Sequence, residues 1–172
     1  DSLAYFDSKI EGLKGGVFTT DFDAETQRIL EKTEKLETQL GQLALYDNYY
    51  RYLEDYIKAS KEFDQVVPPS AVGITDAVLT ELISRLTAAQ FSIRLLGAQH
   101  TEENPLVADK RKAIQQLKKD ILEGVKSIRS TQEINKTYLV NELKKAEAQM
   151  SRLPLNDRRM MDIKRDYTIR EN

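Results

Sequence analysis

The sequence predicts an all-α fold, a long antiparallel helical hairpin or coiled-coil bundle. Two observations carry this expectation. Apolar residues recur at alternating spacings of three and four along most of the chain. Helix breakers are scarce, with 7 Gly and 4 Pro among 172 residues, while charged residues reach 31% against 40% hydrophobic. That balance suits long exposed helices better than a sandwich or a barrel.

Five helical segments follow in order. The first, Ser2 to Leu13, carries Leu3, Phe6, Ile10 and Leu13, and Gly15-Gly16 ends it. After the extended connector "VFTTDFD", Asp21 or Asp23 caps the second segment, Ala24 to Lys61. There Ile29, Leu36, Leu43, Tyr50 and Ile57 fall seven apart, with Leu40, Tyr46 and Leu53 as companions. A sustained seven-residue repeat is a coiled-coil seam, on a helix of roughly 55 Å at the standard rise. Gly41 weakens that helix without ending it.

Pro68-Pro69 makes "FDQVVPPSAVGIT" a loop. Thr75 or Asp76 then caps a third helix, whose seam is Leu79, Leu82, Leu86, Ala89, Ile93 and Leu96. "GAQHTEENP" is a turn, and Asn104-Pro105 reads as a cap followed by a first helical residue. The fourth segment runs from there to Leu153, roughly 70 Å as a helix. Its seam is Ile114, Leu117, Ile121, Val125, Ile128, Leu139, Leu143, Ala146, Met150 and Leu153. Between Ile128 and Leu139 the seam thins, and Ile134 and Tyr138 are the best fillers. "LPLND" interrupts the pattern before "RRMMDIKRDYTIREN", the start of a further helix. No helix this long buries its stripe alone, so the second and third segments are expected to pack on the fourth.

Signals for chemistry are sparse. There is no cysteine and a single histidine, which excludes disulfides, thiolate metal sites and paired-histidine motifs. His100 lies in a polar turn and reads as a solvated loop residue. No phosphate-binding glycine motif occurs. Asp21 and Asp23 fit helix capping better than a Ca²⁺ corner, which needs six to eight oxygens. Asn135-Lys136-Thr137 matches a glycosylation pattern, but in mid-helix. With a net charge of -2 and a pI of about 5.6, bulk charge does not point to nucleic acid or to an anionic membrane surface. The sequence offers no catalytic, cofactor or metal residues.

Two clusters are candidates for contact. In "LALYDNYYRYLEDYIK", Tyr46, Tyr49, Tyr50 and Tyr56 share a broad helical face with Leu53 and Ile57, while Tyr52 points elsewhere. They are read as packing residues in a helix seam, with stacking on a glycan as the sharper alternative. Near the end, Arg158, Arg159, Lys164, Arg165 and Arg170 form a basic cluster. It reads either as a charged exterior paired with Asp157, Asp162, Asp166 and Glu171, or as a docking surface for a subunit or an acidic polymer.

Four stretches together resemble the periplasmic region of Wzz/Wzc-type polysaccharide co-polymerases, the bacterial chain-length determinants that include members fused to a tyrosine kinase. "LPLNDRRMMDIKRDYTIREN" resembles the family's L-P-x-x-E-R-R-L-x-x-L-x-R-D-Y segment through Pro154, Arg158, Arg159, Arg165, Asp166 and Tyr167. "HTEENPLV" resembles the T-P-E-N-P-x-V turn through Glu103, Asn104, Pro105 and Val107. "VVPPSAVGITDAVLTELISRL" resembles the P-S-x-x-G-I-x-D loop and helix, and "AYFDSKIEGLK" the start of the helix after the membrane-proximal strands. The chain departs from the family in a first helix several turns short. Both membrane helices, most of the membrane-proximal part and any kinase domain also lie outside the sequence.

The resemblance implies one periplasmic helical domain over residues 1–172, anchored in the bacterial inner membrane by flanking helices. It implies a structural role in chain-length control and export of capsular, exopolysaccharide or O-antigen polymer. Implied partners are further copies of the protein, the polymerase and the growing glycan, with no nucleic acid. Arg158, Arg159, Lys164, Arg165 and Tyr167 become the assembly or polymer contacts. ATP and Mg²⁺ enter only through a cytoplasmic kinase domain of the parent. The alternative from another class is the helical-hairpin arm of an efflux or secretion adaptor.

Overall fold

The computed structural model describes residues 24–59, 65–97, 104–153 and 155–171, without the side chains of 155, 156 and 167–171. Four α-helices hold these residues: α1 (Ala24–Lys58), α2 (Ala77–Gly97), α3 (Pro105–Met150) and α4 (Leu155–Glu171). One 3-10 turn, Pro69–Val72, interrupts the loop before α2, and no strand occurs among the described residues. The fold is all-α, with α1 and α2 packed on the long α3. The expected first helix, the Asp21 and Asp23 caps and His100 lie outside the described residues.

The ends of the helices follow local chemistry. Asp76 caps α2, its Oδ1 accepting the Leu79 N–H at 2.8 Å. Asn104 does the same for α3, its Oδ1 accepting the Leu106 N–H at 2.9 Å, with Pro105 at the first position. Helix α3 stops three residues before Leu153. There the backbone tightens, so that Arg152 and Leu153 donate to the carbonyls of Gln149 and Met150. The following Pro154 explains this, since a residue before proline is driven out of the helical region. In the loop, Gly73 takes φ 78°, the left-handed conformation that side chains disfavour.

The chain divides into two compact units. One is the continuous stretch Gly41–Thr137; the other combines residues up to Leu40 with those from Tyr138 onward.

In the continuous unit a single core joins three helices. Leu53 comes from α1, Leu79 and Leu86 from α2, and Ile121 and Val125 from α3, all nearly sealed from solvent. The loop after α1 runs back along it. Val67 meets Tyr49 and Tyr52, and the later Gly73 meets the earlier Tyr46. Helix α2 then starts near the middle of α1 and runs the same way, bringing Gln90 to Tyr56. Helix α3 is antiparallel to α1, and so to α2, since Arg129 meets Asp47 while the later Glu142 meets the earlier Lys32.

The other unit repeats this arrangement with different helices. Met161 of α4 joins Ile29 and Leu30 of α1, and Arg165, one turn later, meets Glu37. Helices α1 and α4 therefore run parallel, and the returning end of α3 supplies Met150, with Leu153 just after it, to the same cluster. Ala146 is fully buried, a small side chain where helices come close.

Three expectations are corrected. Ile134 and Tyr138 do not fill the thin part of the α3 seam; they are 71% and 63% exposed. Continuing the steps from Ile121, Val125 and Ile128 leads to Gln132, which is partly buried, and then to Asn135, which is exposed, so the inward stripe ends there on a polar residue. Ile134 and Tyr138 fall on the neighbouring face. In α2 the buried set is Leu79, Ile83, Leu86, Gln90 and Ile93, while Leu82 and Ala89 are only partly covered. Leu79, Leu86 and Ile93 are buried as expected, but their companions are Ile83 and Gln90, the Gln90 amide being buried where it meets the Tyr56 hydroxyl at 3.4 Å. In α1, Thr26 and Thr33 are buried seam residues that an apolar pattern passes over. The Thr33 hydroxyl donates to the Ile29 carbonyl at 2.8 Å, which satisfies it within its own helix.

Gly41 sits inside α1 with nothing within 4 Å of where a Cβ would stand. Gly41→Ala should therefore raise stability by about 0.5–1 kcal/mol, through the lost freedom of the unfolded chain. Leu86→Ala should cost about 2–5 kcal/mol, since Leu86 is fully buried in a tight core. Urea denaturation of both variants measures the two shifts.

Candidate functional site

The tyrosine cluster is a structural clasp. Tyr49, Tyr50 and Tyr56 are buried with Leu53 and Ile57, as their shared face requires, and Tyr46 is half-buried at the margin. The hydroxyls reach the loop that follows α1. Tyr49 donates to the Val67 carbonyl at 2.8 Å and Tyr46 to the Gly73 carbonyl at 3.1 Å.

Tyr52 belongs to the cluster, contrary to the expectation that it points elsewhere. Its hydroxyl accepts the Val67 N–H at 3.0 Å. Its ring lies 5.9 Å from Tyr49 and 6.4 Å from Tyr56, both tilted. The helical wheel is right about direction. It omits the returning loop, which covers the flank of α1 that carries Tyr52. Val67 is thus held at both its N–H and its carbonyl by two tyrosines one turn apart. This loop contains Pro68-Pro69 and has no strand or helix to pair with, so side-chain hydroxyls satisfy backbone groups that secondary structure would otherwise serve.

Burial pushes the Tyr49 hydroxyl well above the ordinary tyrosine range, with Tyr52 and Tyr50 adding to it. Burial also raises Tyr50, helped by the Asp76 carboxylate and Tyr46. Both stay protonated near neutral pH, suited to holding a loop and not to accepting a proton. Flat aromatic faces open to a sugar are not what this packing offers, since Tyr49, Tyr50 and Tyr56 are covered.

The basic cluster on α4 divides by direction. Arg165 forms an ion pair with Glu37 of α1 rather than with an acid of its own helix. Arg158 is half-buried on the same side, and its Nε is enclosed with no hydrogen-bond partner among the described residues. Arg159 and Lys164 are exposed. The side chain of Tyr167 lies outside the described ones. The four described residues do not all face one way: seven-residue spacing turns Arg158 and Arg165 toward the fold, while Arg159 and Lys164 face outward.

A third polar cluster escaped the sequence reading. Arg129 of α3 forks between two carboxylates of α1, its Nε 2.8 Å from Asp47 and its Nη1 3.2 Å from Glu54. Asp47 also accepts from Arg51 at 2.8 Å. Burial works to raise the Asp47 carboxyl, but the bonds from Arg129 and Arg51 outweigh it and hold it below its ordinary range. The Asp47 bond is in turn the largest cause raising Arg129. All three side chains are mostly covered, with 29% of Arg129, 27% of Asp47 and 21% of Glu54 exposed. The available signal was the heptad spacing of Asp47 and Glu54 beside the apolar seam.

No group of three or more His, Cys, Asp or Glu suited to a metal ion occurs among the described residues, and none of their helices is long and apolar enough to cross a membrane. No family model, curated protein or solved structure matches the chain.

Two outcomes follow for the clasp. Tyr52→Phe should lower stability by about 1 kcal/mol, the usual worth of one hydrogen bond. The folded tyrosines ionise above the free value of 10.0, so their contribution is complete below that pH and is lost as pH rises through the folded values. Melting temperature should therefore lose this contribution only above about pH 10, and the loss should be smaller in Tyr49→Phe, as thermal scans followed by circular dichroism would reveal.

Proposed function

We propose that this chain is the periplasmic helical region of an inner-membrane polysaccharide co-polymerase, with a structural role in setting polymer length. The observation that carries this reading is the order of the resembling stretches and where they fall. "VVPPSAVGITD" forms the clasped loop and the Asp76 cap, Asn104-Pro105 opens α3, and "LPLNDRR" opens α4. Residues that resemble a family's motifs thus sit at the helix junctions, where local chemistry sets the fold. Long helices joined at such points suit a scaffold that transmits position between copies and between membrane and periplasm. Glycan synthesis in this reading belongs to the polymerase, and any phosphorylation to a cytoplasmic domain of the parent.

The division of the basic cluster sharpens what to test. Arg165 is tied to Glu37, so its loss perturbs folding as well as any contact. Arg159 is exposed and is the cleaner probe. In the full-length protein in its host, Arg159→Ala should shift the polymer length distribution on gels while leaving the melting temperature within about 2 °C, as surface changes within ±0.5 kcal/mol do. Deleting the gene should abolish length control altogether. Unchanged polymer length and amount in the deletion strain would sink the reading; an unchanged distribution in Arg159→Ala alone would remove only that residue from it.

A further inference from the structure

We propose that the Arg129 fork is a register lock, fixing which heptad of α1 pairs with α3 in the Gly41–Thr137 unit. The need for one follows from the sequence. Residues Leu36, Leu43, Tyr50 and Ile57 repeat every seven positions, so a one-heptad shift of α1 can put Leu43, Tyr46, Tyr49 and Tyr50 where Tyr50, Leu53, Tyr56 and Ile57 now stand. Helix α3 is tied to its neighbours by short connections at 98–104 and 151–154, which set their pairing. Helix α1 is followed by residues 59–76 before α2 begins, a length that leaves its axial position against α3 to side chains.

The fork breaks the sevenfold degeneracy. In the observed register, Arg129 meets Asp47 and Glu54, which are themselves one heptad apart. Moving α1 one heptad in one direction would present Leu40 and Asp47 to the guanidinium; moving it the other way would present Glu54 and Lys61. Only the observed pairing gives the guanidinium two carboxylates. A mostly covered cation beside leucine or lysine is left short of partners, and a buried polar residue at a seam is a recognised means of choosing register at some cost in stability.

The chain has no cysteine, so labels can be placed without background. Spin labels at Asp55→Cys and Lys112→Cys, both exposed and well separated along the helix axes, report the α1–α3 offset. The parent should give one distance. Asp47→Leu/Glu54→Leu/Arg129→Met should melt no lower than the parent yet show a second population, displaced by about 10 Å for seven residues along a helix. Asp47→Lys/Glu54→Lys/Lys61→Glu/Arg129→Glu, which keeps the pairing with signs exchanged and denies the shifted register a second cation, should return to one distance. A single parental distance in the apolar variant would assign register to the tyrosine clasp and overturn the proposal. So would unfolding of the apolar variant, or mixed distances in the charge-exchanged one.

Discussion

The apolar stripe of α3 is the constraint on which the structure depends. A helix of 46 residues cannot hide one face by itself, and its turns leave two separate lengths of stripe to cover. Each length is covered the same way, by two helices that run parallel to each other and antiparallel to α3. In the continuous unit these are α1 and α2; in the discontinuous unit they are α1 and α4. The stripe lapses after Gln132, where residues 133–138 are all exposed, and Leu40 and Tyr138 mark the division between units close to that lapse. Hydrophobic continuity and domain division are thus one fact viewed in two ways.

Parallel helices carry a difficulty that antiparallel ones avoid, because a connection must return along the first before the second begins. The return here is a loop rich in proline, with few backbone partners of its own. Four of the five clustered tyrosines resolve this through their hydroxyls: Tyr46, Tyr49 and Tyr52 bind the loop, and Tyr56 meets Gln90 on α2. Each ring meanwhile fills the core or its edge. Tyrosine suits the task because it delivers apolar area and a hydrogen bond from one side chain. A phenylalanine cluster would bury similar area and leave the loop untethered.

The helices themselves were legible because period and capping are local. Asp76, Asn104-Pro105 and the Pro154 stop act within a few residues, and the α1 repeat appears as Ile29, Leu36, Tyr50 and Ile57 in the core. Three of the residues the sequence hid are polar ones with a distant partner. Gln90 is buried by Tyr56, Tyr52 is covered by Val67, and Arg129 is held by Asp47 and Glu54. Hydropathy assigns each of them to the surface, and only the tertiary neighbour reverses the assignment. The described members of the basic cluster divide by direction for a local reason. Adjacent positions on a helix face different ways, so proximity in sequence separated Arg165 from Arg159 rather than joining them.

The nesting of one unit inside the other has a kinetic meaning. The tyrosine clasp joins residues between 15 and 27 positions apart, and its unit is a single continuous stretch. The Lys32–Glu142 and Glu37–Arg165 pairs span 110 and 128 positions. Closing such long loops carries a larger entropic cost and slows folding. During synthesis the inner unit is complete while α4 is still to be made. The first turns of α1, with Ile29, Leu30 and the two threonines already translated, must wait for their partners. Ile29 and Leu30 are apolar, and the interval before α4 is made sets how long they go without the Met161 contact.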